Sequence, residues 1–285
     1  MPSDCQKVIA TSDGGVDESA LSLLLCESML PLDSSAARHA GLRSRLLRRV
    51  RESARRHAGL ITIRADDGTW LAVKAGIRAK LLREGPHGAS ALIEFAPAAT
   101  LPAHRHHYLE EGIVLRGRLQ LGDLDLLPGD YHVSPPGSRH DRISSREGGL
   151  AYLRGTSLGN TTAVLGEVLG GLLPGNGPPF HTVFAREDSW ERVAEGVEQK
   201  ILWRDGDVIS RLVRLAAGGR LPAHIHDGEE ECVMLSGDAF FGDLLVQAGD
   251  FHLAPPGSEH GVSTTDGGAL AFLRGREILP LPSRP

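Results

Sequence analysis

Apolar residues along most of the chain fall into short runs that glycine and proline interrupt. Typical runs are Ala91–Phe95, Ile113–Leu115, Tyr131–Val133 and Ala151–Leu153, and Pro135-Pro136 follows the third of them. Proline cannot donate a hydrogen bond to a central sheet, so such a pair ends a strand. Many short strands with turn signals about every ten residues predict an all-β sandwich or barrel.

The strand pattern occurs twice along the chain. A shift of 120 residues places positions 62–155 on 182–275 without a gap, and 36 of the 94 residue pairs are identical. The segment Gly129–His140 meets Gly249–His260 in this register. A repeat of this length indicates a duplicated domain rather than a solenoid.

The residues before the repeat have a helical pattern. Asp33-Ser34-Ser35 offers capping residues for a helix to about His57, and Leu42, Leu46 and Val50 share one face of it. The other positions carry eight arginines: Arg38, Arg43, Arg45, Arg48, Arg49, Arg51, Arg55 and Arg56. Two interpretations stay open. The apolar stripe packs on the first repeated domain, or the basic helix at 38–56 docks a protein partner, a nucleic acid or an acidic membrane surface.

These patterns predict four parts of the chain. Residues 1–60 form a helical lead-in, and residues 61–158 form the first repeated domain. Residues 159–179, rich in glycine and proline at their end, form a linker. Residues 180–278 form the second repeated domain.

Each copy contains a set of potential metal ligands. The first set consists of His104, His106, Glu110 and His140, and the second of His224, His226, Glu230 and His260. The two histidines of each His-x-His pair lie on one face of a strand, because side chains alternate with period two. Three imidazoles and a carboxylate suit Fe, Mn, Ni, Cu or Zn, whereas Mg and Ca prefer oxygen ligands. We therefore expect a divalent transition metal in each copy, two per chain, with an affinity that falls below about pH 6 as imidazoles protonate.

At these residues the chain resembles the cupin superfamily. The first cupin motif, His-x-His, then Glu, then Gly, is matched by His104-x-His106, Glu110 and Gly117, and by the corresponding residues of copy 2. The second motif is matched by Gly129, Pro135, Gly137 and His140, and again in copy 2, although Ser144 and Thr264 replace its final Asn. The resemblance implies two tandem cupin barrels, of the double-stranded β-helix or jelly-roll type, after a short N-terminal helical segment.

Within the cupins, the chain is similar to the cupin domain of ChrR-type anti-sigma factors. The shared features are a Trp, His-x-His about 30 residues later, Glu-Glu, Gly-Asp, and Pro-Pro-Gly-Ser-x-His, and they cover residues 60–156 and 180–276. The resemblance implies a metal site in a sensory or ligand-binding barrel. ChrR-type proteins begin with a zinc-binding His-x3-Cys-x2-Cys motif, which this sequence does not contain.

Several residues near the ligands are candidates for supporting roles. His132 and His252 occupy matching positions of the repeat and are either hydrogen-bonding or acid–base partners of the site, or structural histidines. Tyr108 occurs in copy 1 alone, where Gly228 matches it. Cys232, two residues after Glu230, is expected to be a buried and inert thiol.

Composition narrows the class of protein. The net charge of −5 and the charged fraction of 24% are typical of an ordinary globular protein, and nucleic acid is not expected as a partner. Three widely spaced cysteines, with no signal peptide and no long apolar segment, predict a cytoplasmic protein without a membrane span. It is expected to be a monomer or a homodimer.

Two functions remain open from the sequence. The first is a ChrR-like metal-binding bicupin that binds a small molecule in a sensory or regulatory role. The second is a metal-dependent dioxygenase that cleaves a diketone, a catechol or a similar small molecule, with the metal as Lewis acid and redox centre. Isomerase and decarboxylase chemistry also stays open, whereas the absence of a nucleophile or triad argues against acyl-transfer hydrolysis.

Overall fold

The computed structural model describes residues 22–23, 36–172 and 177–276. The chain divides into two compact units, Met1–Arg55 and Arg56–Pro285. Helix α1 spans Ala36–Arg56 and agrees with the helix expected to end near His57. Leu42, Leu46 and Val50 are about half exposed on it. The packing of this apolar stripe on the first domain stays a prediction, and the proposed capping residues lie outside the described residues.

The second unit is mostly β-structure, as expected. Copy 1 contains β1 (Ile61–Ile63), β2 (Trp70–Lys74), β3 (Ile77–Gly85), β4 (Gly88–Phe95), β5 (Thr100–Leu101), β6 (His104–Arg105), β7 (Glu110–Gly117), β8 (Leu119–Leu121), β9 (Leu124–Leu126), β10 (Tyr131–Ser134), β11 (Arg139–His140), β12 (Ile143–Ser144) and β13 (Gly149–Thr156). Helix α2 (Thr161–Gly171) follows. Copy 2 contains β14 (His181–Val183), β15 (Glu191–Ala194), β16 (Val197–Asp205), β17 (Val208–Leu215), β18 (Arg220–Leu221), β19 (His224–Ile225), β20 (Glu230–Phe241), β21 (Leu244–Gln247), β22 (Phe251–Ala254), β23 (Glu259–His260), β24 (Ser263–Thr264) and β25 (Ala269–Arg276).

Each copy closes into an antiparallel barrel, which we call barrel 1 and barrel 2 in chain order. The large sheet of barrel 1 has the order β14-β10-β7-β13-β4-β3-β2, and the matching path in barrel 2 is β1-β22-β20-β25-β17-β16-β15. Shorter strands, among them β6 paired with β11 and β19 paired with β23, form the opposite wall. The predicted fold of two tandem cupin barrels after a helical segment is confirmed.

The first strand of each copy joins the sheet of the other copy. Strand β1 pairs with β22 of barrel 2, so that Thr62 lies opposite His252, and β14 pairs with β10 of barrel 1, so that Thr182 lies opposite His132. Asp250 accepts a hydrogen bond from the amide of Ala65 just after β1, at 2.9 Å. The sequence repeat did not reveal this exchange, because it assigns each strand to a copy and not to a sheet.

The segment predicted as the linker 159–179 contains helix α2. Asn160 caps it by accepting a hydrogen bond from the amide of Ala163 at 3.0 Å, as N-cap side chains commonly do. The helix packs beside β6 of barrel 1. Its glycines, Gly166, Gly170 and Gly171, weakened the helical signal in the sequence.

The two barrels pack against each other through one shared apolar core. It includes Ile113, Tyr131 and Tyr152 from copy 1 and Phe251 and Phe272 from copy 2. The interior of each barrel has a separate core, built for example on Ile93 and Phe95 in barrel 1. Each strand of the shared wall therefore buries both of its faces, one inside its own barrel and one between the barrels.

Two buried carboxylates lie in the contact between the barrels. Glu111 accepts hydrogen bonds from Tyr131 Oη at 2.5 Å and from Ser210, and its carboxylate lies 3.0 Å from Arg274 Nη1. Both Glu111 and Arg274 have side chains at most 5% exposed.

Glu231 repeats this arrangement from the other copy. It accepts hydrogen bonds from Ser90 Oγ at 2.6 Å and Tyr152 Oη at 2.5 Å, and it lies 3.2 Å from Arg154 Nε. Burial and the adjacent carboxylates raise the pKa of both tyrosines well above the ordinary value, so that each phenol stays a donor. Each glutamate has partners on the other copy, Ser210 and Arg274 for Glu111 and Ser90, Tyr152 and Arg154 for Glu231, so these networks join the barrels.

Loss of one of these carboxylates should destabilise the whole bicupin. We expect Glu111→Ala to lower the free energy of unfolding by about 3–5 kcal/mol, because the buried guanidinium of Arg274 loses its buried carboxylate and retains the half-exposed one of Asp205. Urea titration followed by circular dichroism measures this change. Glu147→Ala, at an exposed turn, is the matched control and should change stability by less than about 0.5 kcal/mol. Equal effects of the two substitutions would contradict a structural role for the network.

Candidate metal centres

The four candidate ligands of barrel 2 converge in one cluster. His224 lies on β19 opposite His260 on β23, and His226 and Glu230 follow at the turn into β20. One potential ligand atom from each of the four side chains lies within 4.8 Å of those from the other three. His226, Glu230 and His260 are buried, so the cluster is largely shielded from solvent.

Barrel 1 brings its three histidines together in the same way. His104 on β6 lies opposite His140 on β11, and potential ligand atoms of His104, His106 and His140 are within 4.8 Å of one another. Glu110 approaches from one side: its Oε1 lies 3.6 Å from Nδ1 of His106. The described group of mutually close ligand atoms in barrel 1 comprises the three histidines, and Glu110 lies outside it.

Backbone contacts at the Pro-Pro-Gly turn fix the ligand strands in each copy. The amide of Gly137 donates to the carbonyl of His106 at 2.8 Å, and the amide of His106 donates to the carbonyl of Ser138 at 3.0 Å. Gly137 has a φ of +81°, which strongly favours glycine. Gly257 has the same φ and makes the equivalent bond to His226 at 2.7 Å. The motif thus positions the ligands through its backbone as well as through its side chains.

Burial favours the neutral form of His106, His140, His226 and His260, which is the form that binds metals. Burial lowers the pKa of His106 to about 3 and that of His226 to about 4, and it lowers the pKa values of His140 and His260 further. Neighbouring imidazoles add to the effect. A neutral imidazole offers a lone pair, which a metal ion requires.

Several buried ring nitrogens have no hydrogen-bond partner within the described part of the chain. They are Nε2 of His106, Nδ1 of His140 and both ring nitrogens of His226. A buried polar atom without a partner is costly, unless an ion or water binds it. Unpartnered nitrogens beside a buried carboxylate therefore fit a divalent transition metal in each barrel.

A second histidine supports the last ligand in each barrel. Nε2 of His132 lies 2.9 Å from Nε2 of His140, and its Nδ1 is hydrogen-bonded to Thr182 Oγ1 at 2.8 Å. In barrel 2, His252 contacts His260 at 2.9 Å and Thr62 at 2.8 Å. Both threonines lie on the exchanged strands, so each candidate metal centre is supported by the other copy. The sequence singled out His132 and His252 but gave no signal for the threonines.

An apolar cavity lies beside the ligands of barrel 1. The part of the cavity that water can reach has a volume of about 50 Å³, enough for a few waters or a small ligand. Ile93, Leu119 and Leu153 are among its lining residues. Glu110 and His140 form its polar end.

Helix α2 covers the mouth of this cavity. Val164, Glu167 and Val168 of the helix face a second space of about 100 Å³, which shares Ile93 and Glu110 with the first. Glu167 accepts hydrogen bonds from Ser157 Oγ at 2.7 Å and from the amide of His107 at 3.0 Å. Because the helix lies in the predicted linker, the sequence analysis missed Glu167.

Two further residues predicted from the sequence, Tyr108 and Cys232, lie in a turn and in a buried strand, respectively. Tyr108 lies in the turn between β6 and β7, where its ring packs edge-on against His107 at 4.5 Å between centroids. Cys232 is 1% exposed, and burial raises the pKa of its thiol far above the ordinary value, as expected for an inert core cysteine. It lies on the same face of β20 as Glu230, where barrel 1 has Gly112.

Comparison with known proteins identifies the family of this duplicated barrel. The family model described as the ChrR cupin-like domain matches residues 58–157 and again 180–278, which is more than half of the chain. The chain belongs to the ChrR cupin-like family. A search of curated proteins finds no match to this bicupin.

Solved structures share the double-barrel fold of this ChrR cupin-like protein. A protein from Nostoc punctiforme that is provisionally described as a dioxygenase is 17% identical, with a TM-score of 0.60 over 79% of this chain and 84% of that one. Oxalate decarboxylase of Bacillus subtilis, in a structure described for its Mn(II) centres, is 20% identical, with a TM-score of 0.56 over 76% and 77%. Oxalate decarboxylase of Lactobacillus farciminis in a formate complex is 17% identical, with a TM-score of 0.56 over 77% and 87%. At these identities the likeness concerns the fold.

Metal binding to this bicupin should depend on pH through the carboxylates. Burial raises the pKa of Glu110 to about 8, with a contribution from Glu167, and that of Glu230 to about 7. A metal must displace the proton from a group whose pKa is raised, so affinity should fall about tenfold per pH unit below pH 8 in barrel 1 and below pH 7 in barrel 2. Because the pKa values of His106, His140, His226 and His260 are lowered, these imidazoles contribute little in this range, which differs from the expectation based on ordinary histidines.

Isothermal titration calorimetry with Zn(II), in buffers of different ionisation enthalpy, measures the protons released. At pH 7, barrel 1 studied alone in His260→Ala should release about one proton per metal, and barrel 2 studied alone in His140→Ala about half a proton. Proton release that begins below pH 6 would assign the titration to histidines instead.

Proposed function

We propose that the chain is a ChrR-like metal-binding bicupin in which His104, His106, Glu110 and His140 bind one divalent transition metal and His224, His226, Glu230 and His260 bind a second. The observation that carries this proposal is the set of buried, neutral imidazoles with unpartnered nitrogens in each barrel. Zn, Fe, Mn, Ni and Cu all suit this nitrogen-rich set.

The proposed role is sensory or regulatory: a small molecule binds at a metal centre and alters the surface presented to a partner. Family membership supports this role, and so does helix α1, whose described side chains are nearly all exposed and include eight arginines. The helix is the part of the chain through which a protein partner would bind. None of the described helices is long and apolar enough to cross a membrane.

Metal content tests the central claim. We expect about two transition-metal ions per chain after reconstitution with Fe(II), Mn(II) or Zn(II), and His140→Ala and His260→Ala should each remove about one. Elemental analysis by mass spectrometry gives the count, and circular dichroism checks that the barrels stay folded. His87→Ala, an exposed histidine away from both clusters, is the matched control and should keep both ions.

Absence of metal in reconstituted wild-type protein would overturn the proposal. An unchanged count in either ligand variant would show that the ligand set of that barrel is misassigned.

The apolar cavity of barrel 1 favours a second candidate function, a metal-dependent dioxygenase. A small apolar molecule bound in the cavity would lie beside Glu110 and His140, with helix α2 between it and solvent. The bound metal supplies Lewis-acid and redox chemistry to such a molecule. The bicupin from Nostoc punctiforme, provisionally described as a dioxygenase, supports this reading through its fold.

Oxygen consumption separates the two functions. Enzyme loaded with iron, manganese, nickel or copper is screened in an oxygen electrode with diketones and catechols. Substrate-dependent uptake that disappears in His140→Ala but persists in His87→Ala would establish the dioxygenase. Full metal loading without uptake would favour the sensory role, and the next measurement would be partner capture with the helix 38–56.

A further inference from the structure

A chain of hydrogen bonds connects the exchanged strand β14 to the candidate ligand His140. Thr182 Oγ1 lies 2.8 Å from Nδ1 of His132, and Nε2 of His132 lies 2.9 Å from Nε2 of His140. The remaining nitrogen of the last ring, Nδ1 of His140, is buried and has no hydrogen-bond partner among the described residues. These contacts leave Nδ1 of His140 as the ring nitrogen that can bind a metal ion.

Metal binding through that nitrogen restricts where the protons of the two rings lie. A neutral imidazole carries one proton, and the nitrogen that binds a metal must be the one without it. The proton of His140 must therefore lie on Nε2, from which it is donated to Nε2 of His132. His132 must then carry its own proton on Nδ1, and the acceptor within reach of Nδ1 is Thr182 Oγ1.

The same contacts occur in barrel 2 with the copies reversed. Thr62 Oγ1, on β1 of copy 1, lies 2.8 Å from Nδ1 of His252, and Nε2 of His252 lies 2.9 Å from Nε2 of His260. Strand pairing places Thr62 opposite His252 and Thr182 opposite His132. Most aligned positions differ between the copies, whereas this threonine and this histidine are the same in both. Both histidines are at most 6% exposed, so water has little access to their ring nitrogens.

Barrel 1 has one contact that barrel 2 lacks at the matching position. Ser134 Oγ lies 2.6 Å from Nε2 of His140, which gives this nitrogen a second acceptor beside Nε2 of His132. Ala254 occupies the position of Ser134 in copy 2 and has no polar side-chain atom. The orientation of the last ligand should therefore depend on the threonine more strongly in barrel 2 than in barrel 1.

We propose that Thr62 and Thr182 are positioning residues for the metal centre of the opposite copy. Each threonine holds the buried histidine beside it with the proton on Nδ1, and that histidine holds the last ligand, His260 or His140, with Nδ1 left for the metal. The inference rests on the proposed function, because it requires metal binding by these two ligands. Hydrogen bonds of this kind orient a ligand and raise its basicity, so their loss weakens metal binding while every ligand stays in place.

The test measures zinc affinity in one barrel at a time in the full chain, by competition with a chromophoric chelator. His140→Ala leaves barrel 2 as the loaded site, and His260→Ala leaves barrel 1. In the His140→Ala background, Thr62→Val should weaken zinc binding about fivefold, the effect of one lost hydrogen bond, and Thr62→Ser should restore it. Thr69→Val, the same change at an exposed threonine, is the matched control and should leave the affinity unchanged.

The exchange of strands predicts which barrel each substitution affects. In the His260→Ala background, Thr182→Val should weaken zinc binding, whereas Thr62→Val should not, although Thr62 precedes barrel 1 in the sequence. The effect of Thr182→Val should be smaller than that of Thr62→Val in barrel 2, because Ser134 supplies a second acceptor. Addition of Ser134→Ala should remove this difference.

The position of the protons provides a second measurement that a merely structural threonine would not influence. Long-range proton–nitrogen correlation NMR of zinc-loaded, histidine-labelled protein shows which ring nitrogen is protonated. We expect His132 and His252 to carry the proton on Nδ1, and His140 and His260 to carry it on Nε2.

Failure of this inference can be distinguished from failure of the proposed function. Absence of zinc binding in both single-barrel proteins would overturn the proposed function together with the inference. Zinc binding that the threonine substitutions leave unchanged, or that each alters in the barrel of its own copy, would overturn the inference alone. Protons on Nε2 of His132 and His252 in the zinc-loaded protein would do the same, even if the valine variants did not fold.

Discussion

The structure depends on two adjacent glutamates whose side chains point to opposite faces of one strand. At the start of β7, Glu110 faces the interior of barrel 1 and Glu111 faces barrel 2, because successive side chains of a strand point to opposite faces. Glu230 and Glu231 repeat this arrangement on β20. A shift of one residue in strand register would exchange the two roles and bury both charges among the wrong partners. The metal cluster and the contact between the barrels are thus fixed by the same pair of residues.

The exchanged strands make each metal centre dependent on the other copy. Thr62 precedes barrel 1 in the sequence but holds His252 in barrel 2, and Thr182 does the reverse for His132. Each threonine fixes Nδ1 of its histidine, and the opposite ring nitrogen faces the last candidate ligand, His140 or His260. Partners of this kind orient a ligand and adjust its basicity. Separation of the barrels would remove a hydrogen bond from both centres while leaving every ligand in place.

Much of this arrangement could be predicted from the sequence, because its determinants are local. The His-x-His pairs, Glu110 and Glu230 and the Pro-Pro-Gly turns are spaced by the geometry of short strands, and the repeat shows that they occur twice. Features that arise when distant strands meet could not be predicted in this way. The exchange of β1 and β14 is one, and the position of Glu167 over the mouth of barrel 1 is another.

One signal was present in the sequence and was not used. Arg211 interrupts the apolar run Val208–Leu215 at a position where Ala91 keeps the matching run apolar. A charged residue on the interior face of a strand is costly unless it is paired, and Arg211 has such a partner in Glu230, at 3.7 Å. The comparison of one copy with the other shows this more directly than either copy shows alone.

Comparison of the two copies therefore shows which residues of the site are the same in both barrels and which differ. The ligands, the turn that positions them and the supporting histidine are the same in both barrels, since each depends on strand geometry that the fold dictates. The residues that fill the interior differ in size and charge, as Ala91 and Arg211 or Gly112 and Cys232 show. An unfilled cavity lowers stability, so the space beside Glu110 has a cost in barrel 1. The two candidate centres therefore share one set of ligand residues but differ in the side chains that surround them.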